Sequence, residues 1–253
     1  MDSFSERLDD VLSRRGFATY RRIRKFLTRH TLTINGQRAL TGGTRVNLFS
    51  DTILIDEKPS GLFPDTFIMM NKPSGYICSS KEDPQKSFPT VYSLLDDEIL
   101  NTQNNLTLHT IGRLDTDTEG LLIFTTNGDF SHRVCMPEFH VKKTYRIILK
   151  EKVSEEEQAR YIKECAAGFF LPREWNSKGF TCKPSELKFN SDSECELTIS
   201  EGKFHQVKRM ILQLGNSVAE LKRLSMGNLF LDKSLQPGQW RNMTEKEICS
   251  VLA

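Results

Sequence analysis

The residues best placed to do chemistry in this chain lie between positions 111 and 128, in the segment IGRLDTDTEGLLIFTTNG. Arg113 and Asp115 occupy a short polar stretch, and an apolar run, Leu121–Phe124, follows and ends at Asn127-Gly128. A short apolar run bounded by turn residues predicts a buried strand. The two charged side chains then lie in a loop where it meets the core, a usual place for working residues. A carboxylate in such a loop can act as a nucleophile or accept a proton.

Two distant segments offer partners for that carboxylate. Lys143-Thr144-Tyr145 contains a tyrosine, whose ring has a flat apolar face for stacking and whose hydroxyl can hydrogen-bond. The segment EGKFHQVKRM contains Lys208. A closed pocket favours the neutral form of an acid because burial disfavours charge, and a nearby cation opposes this effect. Lys208 is one cation of the chain that could serve in this way.

These three segments resemble, in the same order, the motifs of the ribosomal RNA pseudouridine synthases. Gly-Arg-Leu-Asp followed by Asp-Thr-x-Gly-Leu-Leu resembles the active-site motif of that family, and Lys-x-Tyr and Gln-Val-Lys-Arg-Met resemble two further motifs. Asp117-Thr118 resembles the residues of the small-subunit branch at this place in the motif, because the large-subunit relatives tend to have Asn-Thr-Ser there. Lys72-Pro73-x-Gly75 also resembles a motif of the family, but we assign Lys72 no chemical step. The resemblance extends over nearly the whole chain.

The resemblance implies that the protein isomerises uridine to pseudouridine in small-subunit ribosomal RNA, with Asp115 as the catalytic aspartate. In this reaction the N-glycosidic bond breaks, the base rotates, and it rejoins the ribose through ring carbon five, without net redox change or hydrolysis. The base has to leave its stack, which costs roughly a few kcal/mol, and Arg113 is expected to enter the vacated space. Tyr145 is expected to stack on the base, and Lys208 to be the basic partner of Asp115. Whether Asp115 acts first as nucleophile or as base stays open.

Basic residues are concentrated near the N-terminus, although the net charge of the chain is only +2. Between Arg14 and Arg45 there are nine basic residues and no acidic residue, which is typical of a nucleic-acid-binding module. Apolar positions at helical spacing predict two helices here, and Asn35-Gly36 predicts a hairpin. The arrangement resembles the S-four type RNA-binding domain of ribosomal proteins. The residues expected to bind RNA, one of them from the third motif, are Arg14, Arg15, Tyr20, Arg21, Arg22, Arg24, Lys25, Arg29, Arg38 and Arg209.

A segment with two prolines and a glycine, residues 57–65, predicts a linker between two domains. We therefore expect a helix-helix-strand RNA-binding domain over residues 1–60 and a catalytic domain over residues 66–253. In the second domain predicted strands alternate with helices, and capping boxes at Ser154 and Thr244 mark two helix starts. Together with the resemblance, this pattern favours an α+β fold with a mixed, mainly antiparallel sheet.

We expect neither a metal nor a small-molecule cofactor. The six cysteines include no C-x-x-C pair, which predicts free thiols that are buried or half-buried. The segment DTDTEG is similar to the start of a calcium-binding loop, but the required glutamate at the twelfth position is replaced by Thr126. The sequence therefore argues against a calcium site.

The expected partner is ribosomal RNA or an assembling small ribosomal subunit, with the protein itself a monomer. No apolar run approaches the roughly 20 residues that span a bilayer, and the N-terminus has early acids, so a cytoplasmic protein without a membrane partner is expected. Two alternatives stay open: a large-subunit ribosomal RNA pseudouridine synthase, and a non-catalytic RNA-binding ribosome-assembly factor. The presence of Asp115, Tyr145 and Lys208 together argues against the second.

Overall fold

The computed structural model describes residues 5–48, 50–60, 62, 65–79, 88–101, 107–174 and 178–252, with the backbone alone at Asn101. The chain forms two compact units, Met1–Thr66 with Gln103–Thr107 and Phe67–Thr102 with Leu108–Ala253. None of the described helices is long and apolar enough to cross a membrane.

The first unit combines two short helices with short antiparallel strands. Helix α1 is Leu8–Arg14, and helix α2, Ile23–Arg29, follows a 3₁₀ turn. The strands are β1 Glu6–Arg7, β2 Leu32–Ile34, β3 Gln37–Arg38, β4 Arg45–Val46, β5 Ile53–Ile55 and β6 Lys58–Pro59. Strand β1 pairs with β4, and the other four form a sheet in the order β3-β2-β5-β6.

Local sequence signals account for most of this unit. Leu8 and Leu12 of α1 and Ile23 of α2 lie at helical spacing, and all three are buried in one apolar cluster. Asn35 and Gly36 have φ values of 51° and 79°, as a two-residue turn between β2 and β3 requires. The two helices and the hairpin that the sequence predicts are therefore present.

The first unit includes the predicted linker and ends just after it, at Thr66. Residues 61, 63 and 64 of that linker are outside the described residues, but Leu62 is buried in the apolar cluster of the first unit. Asp65 is also buried, and its carboxylate pairs with Arg14 at 3.2 Å and Arg15 at 3.0 Å. The first unit thus extends past residue 60, where the sequence placed the end of the RNA-binding domain.

The second unit is built on one large sheet with helices around it. Its helices are α3 Asp97–Asn101, α4 Gly128–Cys135, α5 Glu155–Ala167, α6 Gln206–Gln213 and α7 Glu245–Ser250. Its strands are β7 Phe67–Lys72, β8 His109–Thr110, β9 Glu119–Thr125, β10 Lys143–Leu149, β11 Phe170–Leu171, β12 Phe180–Thr181, β13 Glu186–Phe189, β14 Glu194–Ile199, β15 Val218–Met226, β16 Leu229–Phe230 and β17 Trp240–Asn242.

Nine of these strands form the large sheet, in the order β13-β14-β10-β15-β9-β7-β17, with β16 beside β15 and β8 beside β9. The pairs in this sheet are antiparallel except β9 with β15, which is parallel. Strands β11 and β12 pair separately. The prediction of an α+β fold with a mixed, mainly antiparallel sheet is confirmed. Because β10, β15 and β9 are neighbours, the sheet brings distant parts of the chain together.

Two helices of the second unit, α5 and α7, begin where the sequence predicts. Ser154 and Thr244 each accept a hydrogen bond from the main chain three residues on, so capping boxes start α5 and α7. Helix α6 buries Val207, Met210 and Ile211 against the core of this unit. Its opposite face is thereby left for polar side chains.

The six cysteines are free, as expected, but their burial is not uniform. Cys165, Cys182 and Cys195 are buried, and Cys78 and Cys249 are half-buried. Cys135, at the end of α4, is exposed, and this corrects the expectation that every thiol is at least half-buried.

Gly120 allows β9 to lie close to β15. Its φ of +102° is in the region that favours glycine, and a Cβ atom at this position would be 2.3 Å from the carbonyl oxygen of Arg223. Arg223 is also the residue that pairs with Gly120 in the parallel ladder. Any side chain at position 120 would therefore push the two strands apart, close to the loop that carries Asp115.

We predict that Gly120→Ala lowers the free energy of unfolding by at least about 2 kcal/mol, because backbone strain and overpacking each contribute about 1–3 kcal/mol. The matched control is Gly128→Ala at the start of α4, where a Cβ atom has no neighbour within 4 Å. The control should change the free energy by less than about 1 kcal/mol. Urea unfolding measures both, and equal midpoints for the two variants would contradict the close approach of β9 and β15.

Candidate active site

A cleft in the second unit brings together the three segments that the sequence singles out. The loop before β9 contributes Arg113 and Asp115, β10 contributes Tyr145, and the first turn of α6 contributes Lys208. Strand β15 lies between β9 and β10 in the sheet, so the loop before β9 comes near β10, and α6 adds Lys208, which is 91 positions from Asp117 in the sequence.

Asp115 lies between two basic side chains. The Nζ atom of Lys208 is 3.2 Å from Oδ2 of Asp115, and Nε2 of His205 is 3.6 Å from Oδ1. The side chain of Asp115 is 30% exposed, so it is accessible from the cleft. Each carboxylate oxygen thus faces a different basic group, which fixes the orientation of the carboxylate.

Lys208 also contacts a second carboxylate. Its Nζ donates a hydrogen bond to Oδ1 of Asp117, whose side chain is largely exposed. Burial by itself raises the pKa of the Asp117 carboxyl, but the hydrogen bond and charge of Lys208 outweigh it, so the pKa is lower than usual. Lys208 is therefore shared between Asp115 and Asp117. In the sequence Asp117 distinguishes branches of the family, and nothing there indicates this contact with Lys208.

Tyr145 and Arg113 line the same cleft at different depths. Tyr145 is 7% exposed and packs into the main apolar core of the second unit, while its ring also borders the cleft. Arg113 is exposed. The cleft therefore has a rigid aromatic wall and a cation on its solvent side.

His205 is a further cleft residue, outside the set of catalytic residues expected from the sequence. It precedes α6 in the left-handed conformation, with φ of 49°, and its ring stacks on Phe204 with centroids 3.7 Å apart. This backbone geometry aims the imidazole at Asp115. Its place inside the third motif was the one sequence signal that pointed to it, and that signal is weak for a single histidine.

Lys72 holds the loop that carries Asp115. It has no exposed surface, and its Nζ lies within hydrogen-bond distance of four main-chain carbonyl oxygens. These belong to Pro73 at 3.1 Å, Asp115 at 3.1 Å, Thr116 at 3.2 Å and Thr118 at 2.8 Å. Because three of the four acceptors lie in one loop, the ammonium fixes the path of its main chain.

The environment of Lys72 has two opposing effects on the charge of its ammonium group. Burial lowers the pKa of Lys72, while the nearby acidic groups of Cys78, Asp117 and Asp115 oppose the shift. We treat Lys72 as a positioning residue, since it acts on Asp115 through the main chain. The resemblance of Lys-Pro-x-Gly to a family motif was its signal in the sequence, and the contacts made by its side chain were not predictable from it.

The predicted RNA-binding residues of the first unit fall into two groups. Seven are exposed: Tyr20, Arg21, Arg22, Arg24, Lys25, Arg29 and Arg38. The other two, Arg14 and Arg15, are engaged inside the unit. Arg14 pairs with Glu6 at 2.9 Å and with Asp65, and Arg15 also pairs with Asp65. Their charges stabilise the fold of the unit, which corrects their assignment as surface contacts for RNA.

Arg209 is also buried, with 7% of its surface exposed. Its Nη2 donates to the carbonyl oxygen of Pro172 at 2.6 Å, its Nε lies 3.4 Å from a carboxylate oxygen of Glu174, and its guanidinium lies over the ring of Phe180. The expectation that Arg209 faces RNA is corrected by this placement, because its donors and its flat face are used within the protein.

Residues 66–213 match the sequence profile of the RNA pseudouridylate synthases. The chain belongs to this family. A crystal structure of a pseudouridylate synthase is similar to it with a TM-score of 0.65 and 34% identity, covering 97% of this chain and 99% of that chain. Ribosomal small subunit pseudouridine synthase A of Haemophilus influenzae is 34% identical over 96% of this chain and 97% of that protein. The protein of the same name from Yersinia pestis is 36% identical over 97% of each chain.

The family predicted from the three motifs is thus confirmed, and the protein is an enzyme of the pseudouridine synthase type. The matched region begins beside β7 and ends with α6, so it contains Lys72, Asp115, Tyr145 and Lys208. Strand β15, which completes the cleft, follows it in the chain.

We predict that Lys72→Met destabilises this pseudouridine synthase by roughly 2–4 kcal/mol, because several buried carbonyl oxygens lose their donor. The single-turnover rate should fall at least tenfold even where the variant is fully folded, since the Asp115 loop is no longer fixed. Lys163→Met, at an exposed position of α5, is the matched control and should leave both quantities unchanged. Urea unfolding and single-turnover assays measure the two effects, and a Lys72→Met protein with normal stability and rate would refute the positioning role.

Proposed function

We propose that this enzyme converts a uridine of small-subunit ribosomal RNA into pseudouridine, with Asp115 as the catalytic carboxylate. The observation that carries the proposal is the placement of Asp115 between Lys208 and His205, in a cleft bordered by Tyr145, within a chain of the pseudouridine synthase family. The small-subunit substrate is supported by the two relatives described above, which match nearly the full chain and whose names specify the small subunit.

The proposed reaction places Asp115 beside the ribose. The bond between C1′ and N1 breaks, the base rotates, and C5 then bonds to C1′. An ionised carboxylate can attack C1′ as a nucleophile or remove a ribose proton as a base. In either role the carboxylate has to be held in one orientation, and Lys208 and His205 contact its two oxygens for this purpose.

Tyr145 and Arg113 complete the proposed site. The target uridine has to leave its stack to reach the cleft, and Arg113, exposed on the solvent side, is suited to fill the space it leaves. The buried ring of Tyr145 offers a fixed surface against which the base can stack. We propose that these two residues set the position of the base while Asp115 acts on the ribose.

We propose that the first unit binds the RNA around the target site, as expected for an S-four type domain. Its exposed basic residues form a surface that can contact phosphates without reading sequence. A ribosomal RNA substrate implies that the protein works where ribosomes assemble, and we propose the cytoplasm. We also retain the expectation of a monomer that acts without a cofactor.

The proposal is tested by mapping pseudouridines in ribosomal RNA from cells with and without this protein. One position in small-subunit RNA should lose its pseudouridine when the protein is absent. A loss in large-subunit RNA would overturn the substrate but not the activity. An unchanged map of both RNAs would overturn the proposed function.

We predict that Asp115→Asn abolishes pseudouridine formation while RNA affinity stays within about twofold, because the amide keeps the shape of the side chain but cannot act as nucleophile or base. Asp117→Asn is a matched control, since Asp117 also contacts Lys208 but does not face the cleft. The control should keep the rate within about tenfold of wild type. Single-turnover assays decide this, and substantial activity in folded Asp115→Asn would remove Asp115 from the mechanism.

We predict that replacing Arg21, Arg24 and Lys25 together by glutamine weakens RNA binding and reduces its dependence on salt. Each lost phosphate contact lowers the slope of log affinity against log salt by roughly 0.7 to 0.9. The control replaces Lys150, Lys163 and Lys188, exposed lysines of the second unit, by glutamine and makes the same change in charge. Binding titrations at several salt concentrations give the slopes, and equal slopes for both triple variants would contradict RNA binding by α2 and the 3₁₀ turn before it.

A further inference from the structure

Two cations lie at the buried end of the cleft. Arg223 of β15 is 2% exposed, its Nε donates to the carbonyl oxygen of Leu121 at 2.8 Å, and its Nη2 has no hydrogen-bond partner among the described residues. Lys143, the first residue of β10, is half-buried and donates from Nζ to the carbonyl oxygen of Val141 at 2.9 Å. Both side chains line the cleft, and we call this pair the floor cations.

The charges around the cleft are not balanced. Its described lining contains five lysines and arginines but one acid, Asp115. That acid already faces Lys208 and His205. Within the described part of the chain, neither floor cation has an ion pair with a carboxylate. The buried end of the cleft therefore carries positive charge that the protein itself does not neutralise.

Such an arrangement is unfavourable in the free protein, because a buried donor without an acceptor has lost its hydration. Burial and the charge of Arg223 lower the pKa of Lys143 to about 8, and the thiol of Cys135 opposes this shift. Sites that bind charged ligands hold groups in this state because the ligand supplies the missing partner. The missing partner here is an anion, or a group that becomes one during the reaction.

We propose that Lys143 and Arg223 stabilise the negative charge on the uracil ring after it separates from the ribose. This inference rests on the proposed function. When the bond between C1′ and N1 breaks, N1 keeps both bonding electrons, and the charge spreads onto O2 and O4 of the ring. After rotation C5 supplies the electron pair for the new bond to C1′. C5 then gives its proton to a base and N1 takes one up, so that atoms and charge balance. Donors that are fixed before such charge develops lower the barrier to its formation.

The depth of the floor cations argues for the base, and against a phosphate, as their ligand. The RNA strand continues on both sides of the target nucleotide, so its phosphates stay at the mouth of the cleft, where Arg113 is exposed. The flipped base is free to reach the level of Arg223. Tyr145 pairs with Arg223 in the ladder between β10 and β15, and both residues line the cleft.

The proposal is tested by changing the leaving group. In RNA with 5-fluorouridine at the target position, the fluorinated ring is a better leaving anion and needs less stabilisation by the protein. Lys143→Met should slow single-turnover cleavage of the glycosidic bond by about 10²–10³-fold with uridine, the range for loss of one such donor. With 5-fluorouridine the loss should be at least about tenfold smaller. Lys143→Arg, which keeps a cation, should restore most of the rate with uridine.

Two comparisons keep the result specific. Lys203→Met removes another cation that lines the cleft, but one that is exposed and lies over the ring of Phe180, so any loss should be equal for the two substrates. Arg223→Lys keeps the charge. Its ratio of the cleavage rate with 5-fluorouridine to that with uridine should lie between the ratios of wild type and Lys143→Met. An equal loss with both substrates in folded Lys143→Met would overturn the proposal and leave Lys143 a structural role. If the wild-type enzyme cleaves neither substrate, the proposed function itself fails, and this inference fails with it.

Discussion

The ammonium group of Lys72 is the interaction on which the cleft depends. Main-chain carbonyl oxygens that turn inward, away from water, need a donor, and here one buried nitrogen serves four of them. Lys72 is the last residue of β7, a strand that is buried along its whole length and pairs with β9 at Gly120. The donor is thus positioned by the register of the sheet. The loop that carries Asp115 takes its position from the sheet, and the carboxylate at its tip is then oriented by α6.

The cations of this protein act in two different environments. Those on the first unit, such as Arg24 and Lys25, are exposed, so dissolved salt screens their attraction to an RNA backbone. Those inside the cleft, such as Lys143 and Arg223, are shielded from solvent, and screening affects them much less. On the proposed function, affinity for RNA and the rate of the chemical step should therefore respond to ionic strength separately, although both depend on positive charge.

Much of the fold follows from short-range patterns in the sequence. The helical spacing of Leu8 and Leu12, the Asn35-Gly36 turn, and the capping box at Ser154 each determine structure within a few residues, so the elements they predict are present. The cleft was predictable for a different reason. Its three motifs resemble a known family, and no pattern within the chain indicates that Asp115 lies near Lys208.

The expectations from the sequence that differ from the structure concern charged side chains whose partners are far away in sequence. Arg15 pairs with a residue 50 positions later, and Arg209 donates to a carbonyl group 37 positions earlier. A run of basic residues looks the same whether its members face solvent or an internal partner. The role of Lys72 was missed for the same reason, because its acceptors lie 43 to 46 residues further along the chain, apart from Pro73.

The uneven burial of the cysteines makes one thiol beside the cleft more reactive than the buried thiols. Burial raises the pKa of Cys165 and Cys182 to about 11 and that of Cys195 to about 12, so these thiols rarely form the reactive thiolate at neutral pH. Cys135 is exposed and borders the cleft. An alkylating reagent therefore reaches the cleft before it reaches the core. A bound RNA strand would shield this thiol, so its rate of alkylation reports directly on whether the cleft is occupied.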